Sequence, residues 1–327
     1  MDERSAFNYP LSKNLKLQVV REVYTRYARE VKLTPRGLTR CAVQDRMDLS
    51  MSISRTLSIL TLCCATALLA QAQGKGKGKA KADPGPPKIQ VLIITGINAH
   101  DWKGTTPVMR QTLEETGKFD VRVVEEFRGA GPETLAPYDV VLLNHAGRRV
   151  WGERTEKAFE DFVASGKGLV IYHFALSGFA GWTEFEKMSG ANWRPNNGDH
   201  SPRHDWMVNL KDTEHPITKG MKSFMVEKEE LYTALAWQPE GTYHVLATAW
   251  DDHSLYNGRS GHPIPGPGAD SNIMWTTQYG QGKVFVTTLG HDAENVKSLY
   301  FKTTLSRGVE WAATGKVTQT IPPELAK

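Results

Sequence analysis

Apolar positions along this chain follow two alternating periods. Ile89–Thr95 is a continuous apolar run of strand length, and Phe119–Glu126, Tyr138–Asn144 and Gly168–Tyr172 repeat that pattern. Helical patterns lie between them. Thr106 is placed to cap a helix with Pro107 at its first position and Gly117 past its end, and Ala158, Phe159, Phe162 and Val163 form an apolar helical face closed by Gly166. Continuous apolar strands alternating with amphipathic helices predict an α/β domain on a mainly parallel sheet covered on both faces. From Trp182 to Ala249 the pattern is less regular, with strands expected at Trp206–Leu210, Phe224–Val226 and His244–Ala249. Asp251–Ser271, rich in Gly and Pro, reads as a functional loop. Asn272–Tyr279 and Lys283–Leu289 read as a closing hairpin turned by Gly280-Gln281-Gly282, and Ala293–Thr314 as a terminal helix stopped by Gly315.

The chain upstream of Lys88 has a different character. Arg55, the apolar run Leu57–Ala70 and Ala70-Gln71-Ala72 together form a secretory signal over 51–72 with an A-x-A cleavage site. The run is shorter than the roughly 20 residues a membrane helix needs, so export is expected, to the periplasm or beyond, with no stable membrane span. Leu62, directly before Cys63, is not small, which argues against a lipoprotein. Signal peptides open a chain, so residues 1–50 read as a gene-model extension or disordered segment, with Met51 or Met47 as the start. Residues 73–87 form a Gly/Lys/Pro linker, 88–316 the folded domain and 317–327 a tail.

Charge changes the picture once it is divided this way. The formal net charge is +4, but of 40 Lys+Arg and 36 Asp+Glu only 25 basic and 29 acidic residues lie from Lys88 onward. The domain is slightly acidic, which removes the electrostatic case for nucleic acid. Cys41, Cys63 and Cys64 are the only cysteines, so the domain has no disulfide, no thiolate nucleophile and no cysteine metal ligand. All 10 histidines, in contrast, lie between His100 and His291.

Ligands in an open α/β sheet bind beyond the carboxyl ends of the strands. Here the first strand leads into His100-Asp101-Trp102, the third into Asn144-His145, the fourth into His173, and Lys283–Leu289 into Gly290-His291-Asp292. A single histidine at such an end is more often structural; four converging ends favour a site. Neutral imidazoles plus one carboxylate suit a divalent transition metal, with zinc the default. Glu229-Glu230 is the candidate source of that carboxylate, although spacing alone favours a solvated acidic pair. GxSxG, GxGxxG, HExxH and a P-loop lysine motif are all absent. Ser177 reads as a loop hydrogen-bonding residue. Trp102, Trp151, Trp182, Trp193, Trp206 and Trp237 lie in or near loops, some as core and one or two as platforms for sugar rings.

Several segments together resemble the ThuA-like (trehalose-utilisation) family. They are Ile93-Ile94-Thr95-Gly96 with His100-Asp101-Trp102, Gly168 to His173, His215-Pro216-Ile217-Thr218, Glu229-Glu230-Leu231-Tyr232, and Trp275 to Phe285 ending in Leu289-Gly290-His291-Asp292. The resemblance spans nearly all of 88–316. It implies a flavodoxin-like, class I glutamine-amidotransferase-like three-layer α/β sandwich. In amidotransferase relatives a nucleophilic cysteine follows the strand equivalent to Gly168–Tyr172; His173 stands there instead, which excludes glutaminase activity. The resemblance implies carbohydrate metabolism on a small carbohydrate or glycoside, with a divalent metal on His100, His173, Glu230 and His291 and catalytic roles for the last three. Trp102, His145, Trp182, Tyr232, His253 and His262 are candidate substrate contacts. Two readings stay open: a metal-dependent hydrolase or lyase acting on keto-glycosides, and a non-catalytic carbohydrate-binding module on the same fold. A structural partner module, suggested by Ile321-Pro322-Pro323, is a weaker third.

Overall fold

A computed structural model describes residues 87–147, 151–256 and 268–327. The leader, the signal-like segment, nearly all of the linker and His262 lie outside the described residues. Strand β1 (Ile89–Thr95) is followed by helix α1 (Trp102–Glu115), β2 (Phe119–Val124), the single turn α2 (Pro132–Leu135), β3 (Val140–Asn144), α3 (Glu153–Ala164) and β4 (Gly168–Tyr172). A 3₁₀ turn (His173–Ser177) and α4 (Thr183–Ser189) lead into the short strands β5 (Ala191–Asn192) and β6 (Asp199–His200). Then come β7 (His204–Leu210), β8 (Phe224–Glu229), β9 (Tyr232–Thr233), β10 (Ala236–Trp237), β11 (Tyr243–Asp251), β12 (Ala269–Tyr279), β13 (Gly282–Thr287) and α5 (Leu299–Thr314).

Nine strands form one sheet in the order β2-β1-β3-β4-β13-β12-β11-β7-β8. The five from β2 to β13 are all parallel. The four beyond them pair antiparallel, so only β12 and β7 run against the common direction. Alternation along β1 divides the core in two. Val91 and Ile93 pack with Met109 and Leu113 of α1 and Phe301, Leu305 and Val309 of α5, while Leu92 and Ile94 pack on the opposite face with Phe159, Phe162 and Val163 of α3. Each such side chain contributes about 1.5–3 kcal/mol when fully buried. Helices on both faces of the parallel half produce the expected three layers.

Two helix starts differ from the sequence reading. Helix α1 begins at Trp102, capped by Asp101, whose carboxylate accepts the Gly104 N–H at 2.9 Å, and Pro107 sits inside it. The Thr106 hydroxyl does not cap; it pairs with Thr95 at 2.8 Å and accepts from Asn144 at 3.1 Å, tying the helix to two strand ends. The terminal helix begins at Leu299 under a Ser298 cap, because Asp292 accepts the N–H groups of Glu294 and Asn295 and turns the chain first. Residues 317–327 pack onto the domain: Leu325 is buried, and Met221 bridges to Ala326.

Candidate functional site

The parallel strands deliver their carboxyl ends to one edge of the sheet, and β8 ends at the same edge by direction. β8 lies four strands beyond β13 in the sheet order, yet Glu229 at its end accepts the N–H groups of Gly290 at 2.8 Å and His291 at 3.0 Å. The antiparallel half therefore curls back over the carboxyl edge. This curl carries Glu230 to the histidines.

His100, His173, Glu230 and His291 converge there, each offering one ligand atom, with all four atoms within 4.8 Å of one another. Glu230 Oε2 lies 2.9 Å from His291 Nδ1, 3.6 Å from His100 Nε2 and 3.9 Å from His173 Nε2. Its Oε1 lies 3.4 Å from the Nδ1 of a further histidine, His200. His173 and Glu230 are buried, His100 and His291 half-buried. The acidic pair is thus not solvated: Glu229 and Glu230 are both enclosed.

His173 occupies a left-handed backbone conformation, φ 46°, directly after β4. Such a conformation costs a non-glycine residue of order 1 kcal/mol or more and collects at functional turns. The Nδ1 of its ring lies 2.6 Å from the Thr288 carbonyl, which only accepts, so Nδ1 holds the proton and Nε2 is the basic atom. The Tyr232 hydroxyl is 3.0 Å from that Nε2.

Burial pushes the His173 pKa well below the ordinary histidine value, and the neighbouring His100 acts in the same direction, so the His173 ring is neutral. Burial also works against the charges of Glu230 and His291, but their mutual attraction outweighs it. Glu230 is held well below the usual carboxylate range by His100 and His291. His291 is raised above the ordinary histidine value by Glu230. Burial pushes Glu229 up to about 7, against three backbone N–H groups that favour its charged form.

The donor set fits one divalent ion. It comprises three imidazoles and one carboxylate, and His173 donates its remote N–H to a backbone carbonyl as metal-bound histidines do. Among the described residues, the occluded Nδ1 atoms of His100 and His291 have no hydrogen-bond partner. The oxygen nearest to the His291 Nδ1 is the Glu230 Oε2, 2.9 Å away.

Beside the cluster opens a cleft of about 1130 Å³ over the carboxyl ends of β1 to β4, walled by Trp151, Phe174 and Trp193 and edged by His145 and His200. Among the described candidate substrate contacts only His145 lines it. Trp182 is a core residue, packed on Phe159, Phe179 and Phe185 with its indole N–H on Glu160 at 2.8 Å, so its proposed sugar contact is corrected. Trp102 opens α1 outside the cleft, with Lys103 lying over its ring at 5.3 Å. Tyr232 is buried against His173, and His253 is exposed on a 3₁₀ turn. Ser177 donates to the Phe174 carbonyl at 2.9 Å, the loop bond expected of it. Sequence reasoning missed His200. It sits on a two-residue strand paired with β9 in the least regular part of the chain, where no periodicity marks it.

The chain matches the family model described as ThuA, trehalose utilisation, over residues 90–312. A ThuA-like protein from Parabacteroides merdae is 30% identical, with a TM-score of 0.65 over 74% of this chain and 95% of its own. A ThuA-like protein from Bacteroides uniformis shares the fold at 19% identity, with a TM-score of 0.55 over 75% and 97% of the two chains. No curated protein sequence matches the chain.

Proposed function

The chain belongs to the ThuA family, and from that premise we propose that it processes a carbohydrate at the His100–His173–Glu230–His291 cluster with one divalent ion held there. The observation that carries this reading is the convergence of four ligand atoms within 4.8 Å at the carboxyl edge of the sheet, two of them on rings with an unpartnered buried nitrogen. When bound, such an ion supplies Lewis acidity at a substrate oxygen.

The reaction class we propose is cleavage of a keto-glycoside. A ketone at C3 of a sugar acidifies the C2–H. The Glu230 oxygen that does not face the ion accepts that proton. The bond from C1 to its oxygen substituent breaks, the leaving oxygen takes a proton, and water then adds across C1 and C2, so the net change is hydrolysis. The Thr288 carbonyl holds the His173 ring proton on Nδ1 and so presents Nε2 to the cluster, where the Tyr232 hydroxyl, kept protonated by burial, donates to it until an ion displaces that bond.

A non-catalytic sugar-binding module is the second reading. It is favoured by the Tyr232 hydroxyl, which already satisfies His173 Nε2 at 3.0 Å with protein atoms alone. Elemental analysis of protein purified without added metal separates the two. One equivalent of a divalent metal in the wild type, lost in His291→Ala with the fold retained, supports the enzyme. A wild type that holds none and takes up none on dialysis against zinc leaves the binding module. We also propose that the protein is exported through the segment 51–72. Mature chains beginning near Gln73 support this, and intact 51–72 on cytoplasmic protein overturns it.

A further inference from the structure

His145 follows β3 and is 5% exposed, on the wall of the cleft. Its ring is fixed from several sides. It stacks on Phe179 with centroids 5.6 Å apart and planes at 16°, and Trp151 closes another side at 5.7 Å. The backbone N–H of Gly147 points at its Nδ1 from 3.2 Å. A backbone N–H only donates, so Nδ1 is the acceptor and the ring proton sits on Nε2. Flipping the ring would place a C–H against that N–H, which fixes the assignment. Gly147 is needed for this closeness, because a Cβ there would meet His145 Cε1 at 2.6 Å.

Nε2 has no hydrogen-bond partner among the described residues and is not among their occluded nitrogens, and the residue lines the cleft. The charged groups facing the ring, Glu126 and Arg128, are paired with each other at 2.6 Å and act on it in opposite senses. Burial is the larger influence and lowers the His145 pKa, so the ring stays neutral near pH 7. A rigid, neutral N–H donor in an aromatic-walled cleft has one evident use.

We propose that His145 is a substrate-binding residue whose Nε2–H donates a hydrogen bond to a hydroxyl or carbonyl oxygen of a carbohydrate in the cleft. The inference rests on the reading that a carbohydrate occupies this cleft, but not on the metal or on catalysis. Its partner is an oxygen that accepts; an ammonium or other donor-only group would meet the N–H unfavourably. The Phe179 stack and the Gly147 bond hold the donor in place before the ligand arrives, so little rotamer entropy is lost on binding.

Two measurements on the full chain test it. Nitrogen-15 NMR of labelled histidines should show His145 as the neutral Nε2–H tautomer at pH 7, not titrating near 6.5. Calorimetry with trehalose and a panel of neutral mono- and disaccharides should show binding of at least one sugar. His145→Phe, which keeps the stack on Phe179, should weaken that sugar about tenfold, the value of one hydrogen bond. His145→Gln, whose amide N–H reaches towards the position of Nε2, should recover most of the loss. Metal content and melting temperature should match wild type in the Gln variant. An Nδ1–H tautomer, unchanged affinity in the Phe variant, or no binding by any sugar of the panel overturns the proposal. If the Phe variant does not fold, the tautomer and the Gln variant still decide. Failure of the metal reading appears separately, as absence of metal with sugar binding intact.

Discussion

Glu229 and His291, 62 residues apart in the chain, are joined by a hydrogen bond of 3.0 Å from the backbone N–H of His291 to the Glu229 carboxylate. The same carboxylate accepts from Gly290 at 2.8 Å and from Glu230 at 3.2 Å. One side chain thereby clasps the two segments that bear Glu230 and His291. Gly290 completes the clasp: it has φ 101°, and a Cβ there would meet the Phe301 ring at 2.5 Å.

Glu229→Gln tests the clasp. A glutamine keeps the shape but turns one N–H towards a backbone N–H, so two donors face each other. The variant should lose roughly 1–3 kcal/mol of stability in urea denaturation. Metal affinity, read by competition with a chelating dye, should fall about 10- to 100-fold. Unchanged affinity would separate Glu229 from the site.

The φ of 46° at His173 predicts a difference between two variants. Both His173→Ala and His173→Gly remove the imidazole and its bond to Thr288, but only alanine still bears the left-handed backbone cost. The glycine variant should be the more stable of the two by about 1 kcal/mol. Equal midpoints in guanidinium, or alanine ahead, would show that the turn relaxes.

Arg307 is a buried cation with no carboxylate in hydrogen-bond contact among the described residues. Its Nε donates to the Ile217 carbonyl at 2.6 Å, Nη1 to Gln319 at 2.6 Å, and Nη2 to Pro216 at 2.8 Å and Lys219 at 3.0 Å. It fastens the His215–Lys219 turn and the chain after α5 to the helix. Arg307→Met should cost roughly 3 kcal/mol or more, since it strands several carbonyls. Lysine restores the charge without the fork and should recover only part of that loss in thermal melts.

Burial pushes His215 down to about 4, against a small opposing pull from Asp212. In the unfolded chain its pKa is about 6.5, so between these values the unfolded state binds the extra proton. His215 therefore leaves stability intact above pH about 6.5 and removes it as pH falls towards 4. The loss should reach about 1–2 kcal/mol once partial exposure is discounted. His215→Gln should flatten this part of the stability profile; an unchanged profile would assign the acid loss elsewhere.

Metal retention should show its own pH dependence. Bound imidazoles must be neutral, and His291 holds its proton more tightly than an ordinary histidine because Glu230 is beside it. Affinity should level off only above pH about 6.5 and fall steadily below it. Equilibrium dialysis across that range measures this directly.

The sequence by itself determined the strands β1 to β4 and β13, because each is a short apolar run bounded by turn residues and local burial is what such runs report. It also determined that histidines follow several strand ends, and parallel strands aim those ends at one edge. Tertiary structure decided the rest. Glu230 reaches the histidines only because the antiparallel half curls until β8 ends beside β13, a relationship between residues about 60 positions apart that leaves no periodic trace. The same distance hid the burial of Glu229. It hid the place of Trp182 among Phe159, Phe179 and Phe185. It hid the contact of His200 with Glu230. Periodicity records which side of an element faces the core; which neighbours meet there is fixed by long-range packing.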